Sequence, residues 1–295
     1  MNIVILGGTG FIGRNLVNML SSEDYSVKVP TRNREKNKKF LVYPRLQLVQ
    51  CNIHNQDELI SVTRDCDILI NLVGILNERG FKGKGFEAVH SNLARTILHA
   101  CKVNNIKRVL HMSALNANSS GPSFYLRTKG DAESYMHTYG ERFANITTFR
   151  PSVVFGKGDG LIHRFSNLIN FTPFYFPLAC ANAKFSPIYV RDLSYFIINC
   201  IDNVDSYQKR YNLCGPKVYT LKEIVELVIH FKKRKIKVIP LTDNLSRLQA
   251  YIMQLLPGKP FSIDNYNSCK IDSTGSSDYD FYTELESVIM SCIER

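Results

Sequence analysis

At 295 residues and 44% hydrophobic content, the chain can bury a full core, as one large domain or as a core with a smaller lobe. No run of about 18 apolar residues occurs, and the most apolar stretch, Leu168 to Ala181, is broken by Pro173 and Pro177, so no transmembrane segment is expected. The net charge of +11 gathers at residues 28–45 and at Lys232-Lys233-Arg234-Lys235 with Lys237, against an acidic tail from Asp272 to Glu286. Such clusters suit acidic lipid headgroups, an acidic partner or plain solvated helix ends. No nucleic-acid module accompanies them, so nucleic acid is excluded.

In chain order, Ile3-Val4-Ile5-Leu6 reads as a buried parallel strand running into Gly7-Gly8-Thr9-Gly10-Phe11-Ile12-Gly13. Gly7 allows the tight turn, Gly10 lets backbone approach a pyrophosphate, and Gly13 lets the next helix pack on the strand. Phe11, Ile12, Leu16, Val17 and Leu20 continue at helical period, which places phosphates at a helix N-terminus. Strands follow at Ser26–Val29, Leu46–Gln50, Asp67–Val73 and Arg108–Met112, alternating with helices at Asp57–Arg64 and about Phe86–Asn104. A helix beginning near Tyr125 and a strand at Asn145–Arg150 complete a Rossmann-type α/β fold, a doubly wound parallel sheet with a smaller, mixed α/β C-terminal lobe. Residues 1–155, with 187–203 returning to them, form the expected dinucleotide-binding core; 156–186 and 207–295 form the smaller lobe. In that lobe Leu245, Leu248, Ile252, Leu255 and Leu256 share one helical face, which either caps the lobe or meets a partner or membrane surface.

Strand 2 ends in Pro30-Thr31-Arg32-Asn33-Arg34. NAD-preferring folds place an acid about 20 residues past the glycines for the ribose 2′-hydroxyl. Here Arg32, with Arg34 beside it, suits a 2′-phosphate, so NADP(H) is favoured over NAD(H). Leu72-Val73-Gly74 after strand 4 supply small residues where the chain passes the cofactor. Strand 5 ends at Ser113, and Tyr125 and Lys129 follow four apart on one helical face. A Lys ammonium beside a phenol lowers the Tyr pKa toward neutrality, making Tyr125 a usable acid/base. Lys129 also holds a ribose, and Ser113 positions a substrate carbonyl. These three are the candidate catalytic residues. The eight cysteines and seven histidines are dispersed, so neither a disulfide framework nor a metal site is expected, and the cysteines fit a reducing, cytoplasmic compartment.

The GGTGFIG turn, the Ser113/Tyr125/Lys129 set, Arg150-Pro151-Ser152-Val153-Val154-Phe155-Gly156 and Tyr211–Gly215 resemble the extended and atypical short-chain dehydrogenase/reductase superfamily, with its NAD-dependent epimerase/dehydratase-like members. The resemblance implies that Asn52, where relatives carry an acid, meets the adenine amino group, and that Asp192 caps a helix. The strings NLVGIL (71–76), FEAVHSNLART (86–96), HMSALNAN (111–118) and SFYLRTKGDAE (123–133) look like bacterial relatives of the NADPH-binding accessory subunit of respiratory complex I. That likeness covers roughly residues 1–225. It implies a nucleotide bound for structure or redox sensing, and a membrane-associated respiratory complex or an anionic membrane surface as partner, with a peripheral place at the inner face of the membrane. The alternative is an active NAD(P)-dependent oxidoreductase, epimerase or dehydratase on a sugar-nucleotide or isoprenoid/quinone-type substrate, using Tyr125 and Lys129.

Overall fold

A computed structural model describes residues 1–293 of the chain. Strands β1 (Asn2–Leu6), β2 (Ser26–Thr31), β3 (Leu46–Gln50), β4 (Ile68–Asn71), β5 (Arg108–Met112) and β6 (Asn145–Pro151) alternate with helices α1 (Phe11–Leu20), α2 (Gln56–Val62), α3 (Lys84–Glu87), α4 (Leu93–Val103) and α5 (Phe124–Gly140). Short strands β7 (Val154–Phe155), β8 (Tyr175–Leu178), β9 (Lys184–Phe185) and β10 (Ile188–Tyr189) follow, with α6 (Leu161–Phe171) among them and α7 (Val190–Asn199) after them. Then come β11 (Arg210–Leu213), β12 (Tyr219–Thr220), α8 (Leu221–Phe231), β13 (Lys237–Pro240), α9 (Asp243–Met253), α10 (Ile263–Ser268) and α11 (Leu285–Ile293).

The main sheet has the order β3-β2-β1-β4-β5-β6-β11, and every pair is parallel. Successive side chains of β1 feed opposite cores. Ile3 and Ile5 pack with Leu16, Val17, Leu193 and Ile197 on the α1 and α7 side, whereas Val4 and Leu6 pack with Leu59, Leu93, Ile97 and Met136 on the α2, α4 and α5 side. A strand covered on both faces must be apolar at every position, which is why IVIL reads as a run and not an alternation. Chain order reverses between β1 and β4, so the crevice where ligands bind in such sheets opens beyond Leu6 and Asn71. A third cluster, built from α6, α8, α11, β8 and β13, is centred on Ile162, Ile169, Ile224, Val228 and Ile289.

Three local expectations shift. The sequence reading began the second lobe at 207, yet Arg210–Leu213 pairs with Thr148–Pro151 and forms the sheet edge. The likeness of Tyr211–Gly215 to the family's late strand holds, but its short, half-exposed content does not disclose that it pairs with β6 in the main sheet. The helix expected over 86–104 is interrupted by a π-helical turn, Ala88–Asn92, before α4 begins. The wider turn shifts the phase, leaving Val89 half-buried and turning His90 and Ser91 inward. Asp192 does not cap α7: Tyr189 is the N-cap, and Asp192 adds its charge to the first turn. On α9 the apolar stripe faces outward, with Leu248 and Ile252 exposed, as is Leu255 just past the helix, and Ser246 and Ala250 buried beneath.

One buried cation ties the returning segment to the sheet. Arg108 of β5 is 5% exposed and donates to the carbonyls of Cys200 (2.5 Å), Ile201 (3.2 Å) and Asn145 (3.1 Å) and to Ser206 Oγ (2.7 Å). Its guanidinium also lies 4.7 Å from the Tyr207 ring centre. The acceptors include the C-terminal end of α7, where carbonyls lack helix partners and the helix dipole favours positive charge. Arg108→Met should therefore destabilise the fold by about 3 kcal/mol, because buried carbonyls lose a fork of donors. Arg108→Lys should recover only part. Urea denaturation measures both, and a methionine variant as stable as the parent would refute the assignment.

Candidate functional site

The first turn of the sheet edge is set by close backbone approach. Gly7 has φ +79°, a conformation that favours glycine, and a Cβ there would stand 3.1 Å from the Leu72 carbonyl carbon and the Val73 nitrogen. At Gly13 a Cβ would fall 2.3 Å from the Gly7 oxygen and 2.6 Å from the Gly8 Cα, so α1 packs onto the turn only through a residue without a side chain. Gly10 is the N-cap of α1 and carries no side-chain cap; no acidic residue occupies the first turn. The N–H groups of Phe11, Ile12 and Gly13 thus begin the helix as donors without a side-chain cap, and a Cβ at Gly10 would stand 3.1 Å from the Gly7 oxygen, so the loop turns tightly there. This cradle fits a pyrophosphate.

β2 ends at Thr31 beside β1, which brings Arg32 to the same edge; Arg32 and Arg34 are both exposed. The nearby carboxylate, Glu35, pairs with Lys38. Past β3, Asn52 Oδ1 accepts from His54 N (3.2 Å), while the Asn52 backbone N–H donates to Glu58 Oε2 (2.8 Å). The Asn52 carbonyl already closes a local turn, with one lone pair left over.

Lys129 and Ser113 come together beneath this crevice. Lys129 is 4% exposed, and its Nζ donates to the carbonyls of Met112 (2.8 Å) and Val73 (3.4 Å). A Cβ on residue 74 would stand 3.2 Å from that ammonium, so Gly74 is small partly because Lys129 lies against it. Burial lowers the Lys129 pKa to about 8. Ser113 Oγ is buried with no partner inside the protein, and so is His111 Nε2, although His111 Nδ1 meets Asn71 Nδ2 at 3.1 Å. A buried hydroxyl left without a partner at a strand end is a vacancy for a ligand polar group. Burial, then the Lys129 charge, pushes His111 down to about 3, and the same two causes hold His90 far below the usual imidazole range.

Tyr125 departs from the expected chemistry. It is half-buried, with its ring edge-on to Phe86 and His90 (centroids 6.2 and 5.7 Å). Its pKa is not lowered. Burial, and then the charge of Asp264, raises it to about 12, and the Lys129 ammonium instead serves backbone carbonyls. Two groups here carried no signal in the sequence. Asp264 of α10 accepts from the amides of Phe124 (2.6 Å) and Tyr125 (3.1 Å), capping α5 from 139 residues away. His90, turned inward by the π-helical turn, contacts Thr128 Oγ1 (2.9 Å) and accepts from Ile75 N (3.3 Å). Among the described residues, no cluster of metal-ligating side chains occurs and no helix is long and apolar enough to cross a membrane.

With this geometry in view, a model of the NAD dependent epimerase/dehydratase family matches residues 3–214. The mitochondrial NADH-ubiquinone oxidoreductase 40 kDa subunit of Neurospora crassa is 27% identical over 244 residues, 79% of this chain and 62% of that protein. Subunit 9 of the mitochondrial NADH dehydrogenase (ubiquinone) 1 alpha subcomplex of Rattus norvegicus is 28% identical over 264 residues, 88% of this chain and 68% of that protein. The chain thus spans about two thirds of the length of these relatives. UDP-glucuronic acid 4-epimerase from Bacillus cereus, solved with UDP-glucuronic acid and NAD, superposes with a TM-score of 0.77 at 18% identity, covering 99% of this chain and 98% of that one. An epimerase from Methanothermobacter thermautotrophicus reaches 0.77 at 15% identity, covering 99% and 90%. The structures agree in fold. From the family match, the chain belongs to the NAD dependent epimerase/dehydratase family and is an extended short-chain dehydrogenase/reductase-like, NAD(P)-binding protein.

Proposed function

We propose that the chain binds NADP(H) chiefly as a structural or redox-reporting group, in the manner of an accessory subunit of a respiratory complex. The observation that carries this reading is the engagement of Lys129 by two backbone carbonyls beside a Tyr125 phenol pushed up to about 12. Burial and the Asp264 charge both favour the protonated phenol, the opposite direction from the phenolate that base catalysis by Tyr125 requires. The likeness to the Neurospora crassa and Rattus norvegicus respiratory subunits supports the assignment and the partner. The family's nicotinamide dinucleotide supplies hydride chemistry when bound. The Phe11–Gly13 amides would hold its pyrophosphate, Arg32 and Arg34 a 2′-phosphate, Asn52 its adenine, and Lys129 a ribose, with Leu72, Val73 and Gly74 as the wall. One observation favours an active enzyme instead: Ser113 Oγ is buried and unpartnered where a substrate carbonyl would accept its proton.

Titration should show NADPH binding more tightly than NADH, and Arg32→Ala should erase most of the gap, about 1.5–3 kcal/mol for a charge-assisted contact. Equal affinity of the parent protein for both would remove the case for a 2′-phosphate site.

Lys129→Ala should weaken nucleotide binding, whereas Tyr125→Phe should leave binding and thermal stability nearly unchanged. Hydride transfer assayed on sugar nucleotides, quinones and isoprenoid carbonyls decides the rest. Turnover that drops about 100-fold or more in Tyr125→Phe, the size of a lost general acid, would establish the enzyme.

The low Lys129 pKa gives nucleotide affinity a pH signature. The ammonium is present below pH about 8 and is lost as pH rises through that value. Affinity should therefore fall as pH rises above about 8, with Lys129→Ala abolishing that fall. A decline that persists in Lys129→Ala would assign it to another group.

A further inference from the structure

The second lobe carries a surface unrelated to the nucleotide crevice. Phe171 ends α6 and is 89% exposed; Phe174 and Tyr175, across the Pro173 turn, are 71% and 65% exposed. Along β8 the alternate residues Phe176 and Leu178 point into the core, so Tyr175 is on the outer face by strand period. The loop of residues 232–237 lies against this turn. Arg234 Nη2 donates to the Thr172 carbonyl (3.1 Å), the Lys237 amide to the Phe174 carbonyl (2.8 Å), and Lys237 stands opposite Tyr175 in the β13–β8 register. Lys233, Arg234, Lys235 and Lys237 are exposed, while Lys232 is half-buried and donates to Ser166 Oγ (3.0 Å). The groove between turn and loop, about 550 Å³, has one carboxylate in its lining, Glu226, which pairs with Lys222 on its other side.

We propose that the Phe171–Tyr175 turn and the 232–237 loop form a docking surface for an anionic lipid bilayer. Charge complementarity selects the occupant. Three protruding aromatic side chains surrounded by cations match the two layers of a membrane interface, apolar just below the headgroups and negative at their level. Four of the five cations are lysines, compact charges suited to a diffuse lipid surface and less suited to bidentate phosphodiester recognition. The aromatics stand at the tip of a proline-stiffened turn, with the cations behind them on the adjoining loop. A single-stranded nucleic acid would instead want them spaced along a cation-lined channel. This surface stands apart from the nucleotide reading, and either can fail without the other.

The chain contains no tryptophan, so Phe174→Trp supplies a single fluorescent reporter in it. It should float with phosphatidylcholine vesicles containing about one third phosphatidylserine and not with phosphatidylcholine alone. On binding, its emission should shift to the blue and be quenched by brominated acyl chains. Replacing Lys233, Arg234, Lys235 and Lys237 together by Gln should weaken binding about 100-fold or more, at roughly fivefold per cation. Phe171→Ser with Phe174→Ser should weaken it as well, while urea-denaturation midpoints of the same variants stay near the parent value and report their folding. Equal binding to neutral vesicles, an unshifted emission on bound protein, or no loss in the charge variant would overturn the proposal. So would tight binding to a single-stranded oligonucleotide by a protein that ignores anionic vesicles.

Discussion

Lys129 is a charge buried without a carboxylate. Its ammonium reaches the carbonyls of Met112 and Val73, at the end of β5 and just past β4, so a single side chain laces together two neighbouring strand ends. A buried cation costs several kcal/mol unless its donors are used, and two carbonyl partners offset only part of that cost. The lowered pKa registers the remainder. Much of the site follows from this one placement. Residue 74 must be small, since a Cβ would crowd the ammonium. His90 and His111, near the same charge, are held neutral, and the phenol of Tyr125 is left to burial and to Asp264. A protein that keeps such a costly group in place, with an unpartnered Ser113 hydroxyl beside the same strand end, is arranged for a polar ligand.

The nucleotide-binding half was legible because its physics is local. A strand covered on both faces must read as an apolar run, and a helix that packs on a turn through backbone must carry glycine at the contact. IVIL and Gly13 announce both, and the sheet order follows from right-handed crossovers. The register of Tyr125 with Lys129 was also visible. What the spacing did not carry was which neighbour each group answers to: Lys129 turns to the main chain, and the acid nearest Tyr125 arrives from α10.

The elements that sequence reasoning missed depend on distant partners. Tyr211–Gly215 was readable as a strand, but the four residues of mixed exposure in β11 did not show that it joins the main sheet beside β6. The π-helical turn at Ala88–Asn92 sits inside an otherwise regular helical pattern and has no local marker. Asp264 looks like any acid in a polar stretch; its role exists only because α10 packs against the start of α5. In the second lobe, apolar residues that would ordinarily be assigned to a core, Phe171 and Phe174 among them, face solvent beside lysines. Composition alone cannot distinguish such a surface from an interior.

The cap that α10 places on α5 has a consequence for how the two parts of the molecule communicate. Asp264 holds the first amides of α5, Ser268 Oγ donates to Ser123 Oγ, the N-cap of that helix, and Asn265 and Lys259 clasp the 76–80 loop from the same side. The helix that carries Lys129 is thus closed at its start by chain from the far end of the sequence. Reciprocity then applies: whatever steadies α5 lowers the free energy of the closed α10 segment by the same amount that closing the segment contributes to α5. Proteolytic nicking or hydrogen exchange in residues 257–268 therefore reports on whatever steadies the start of α5.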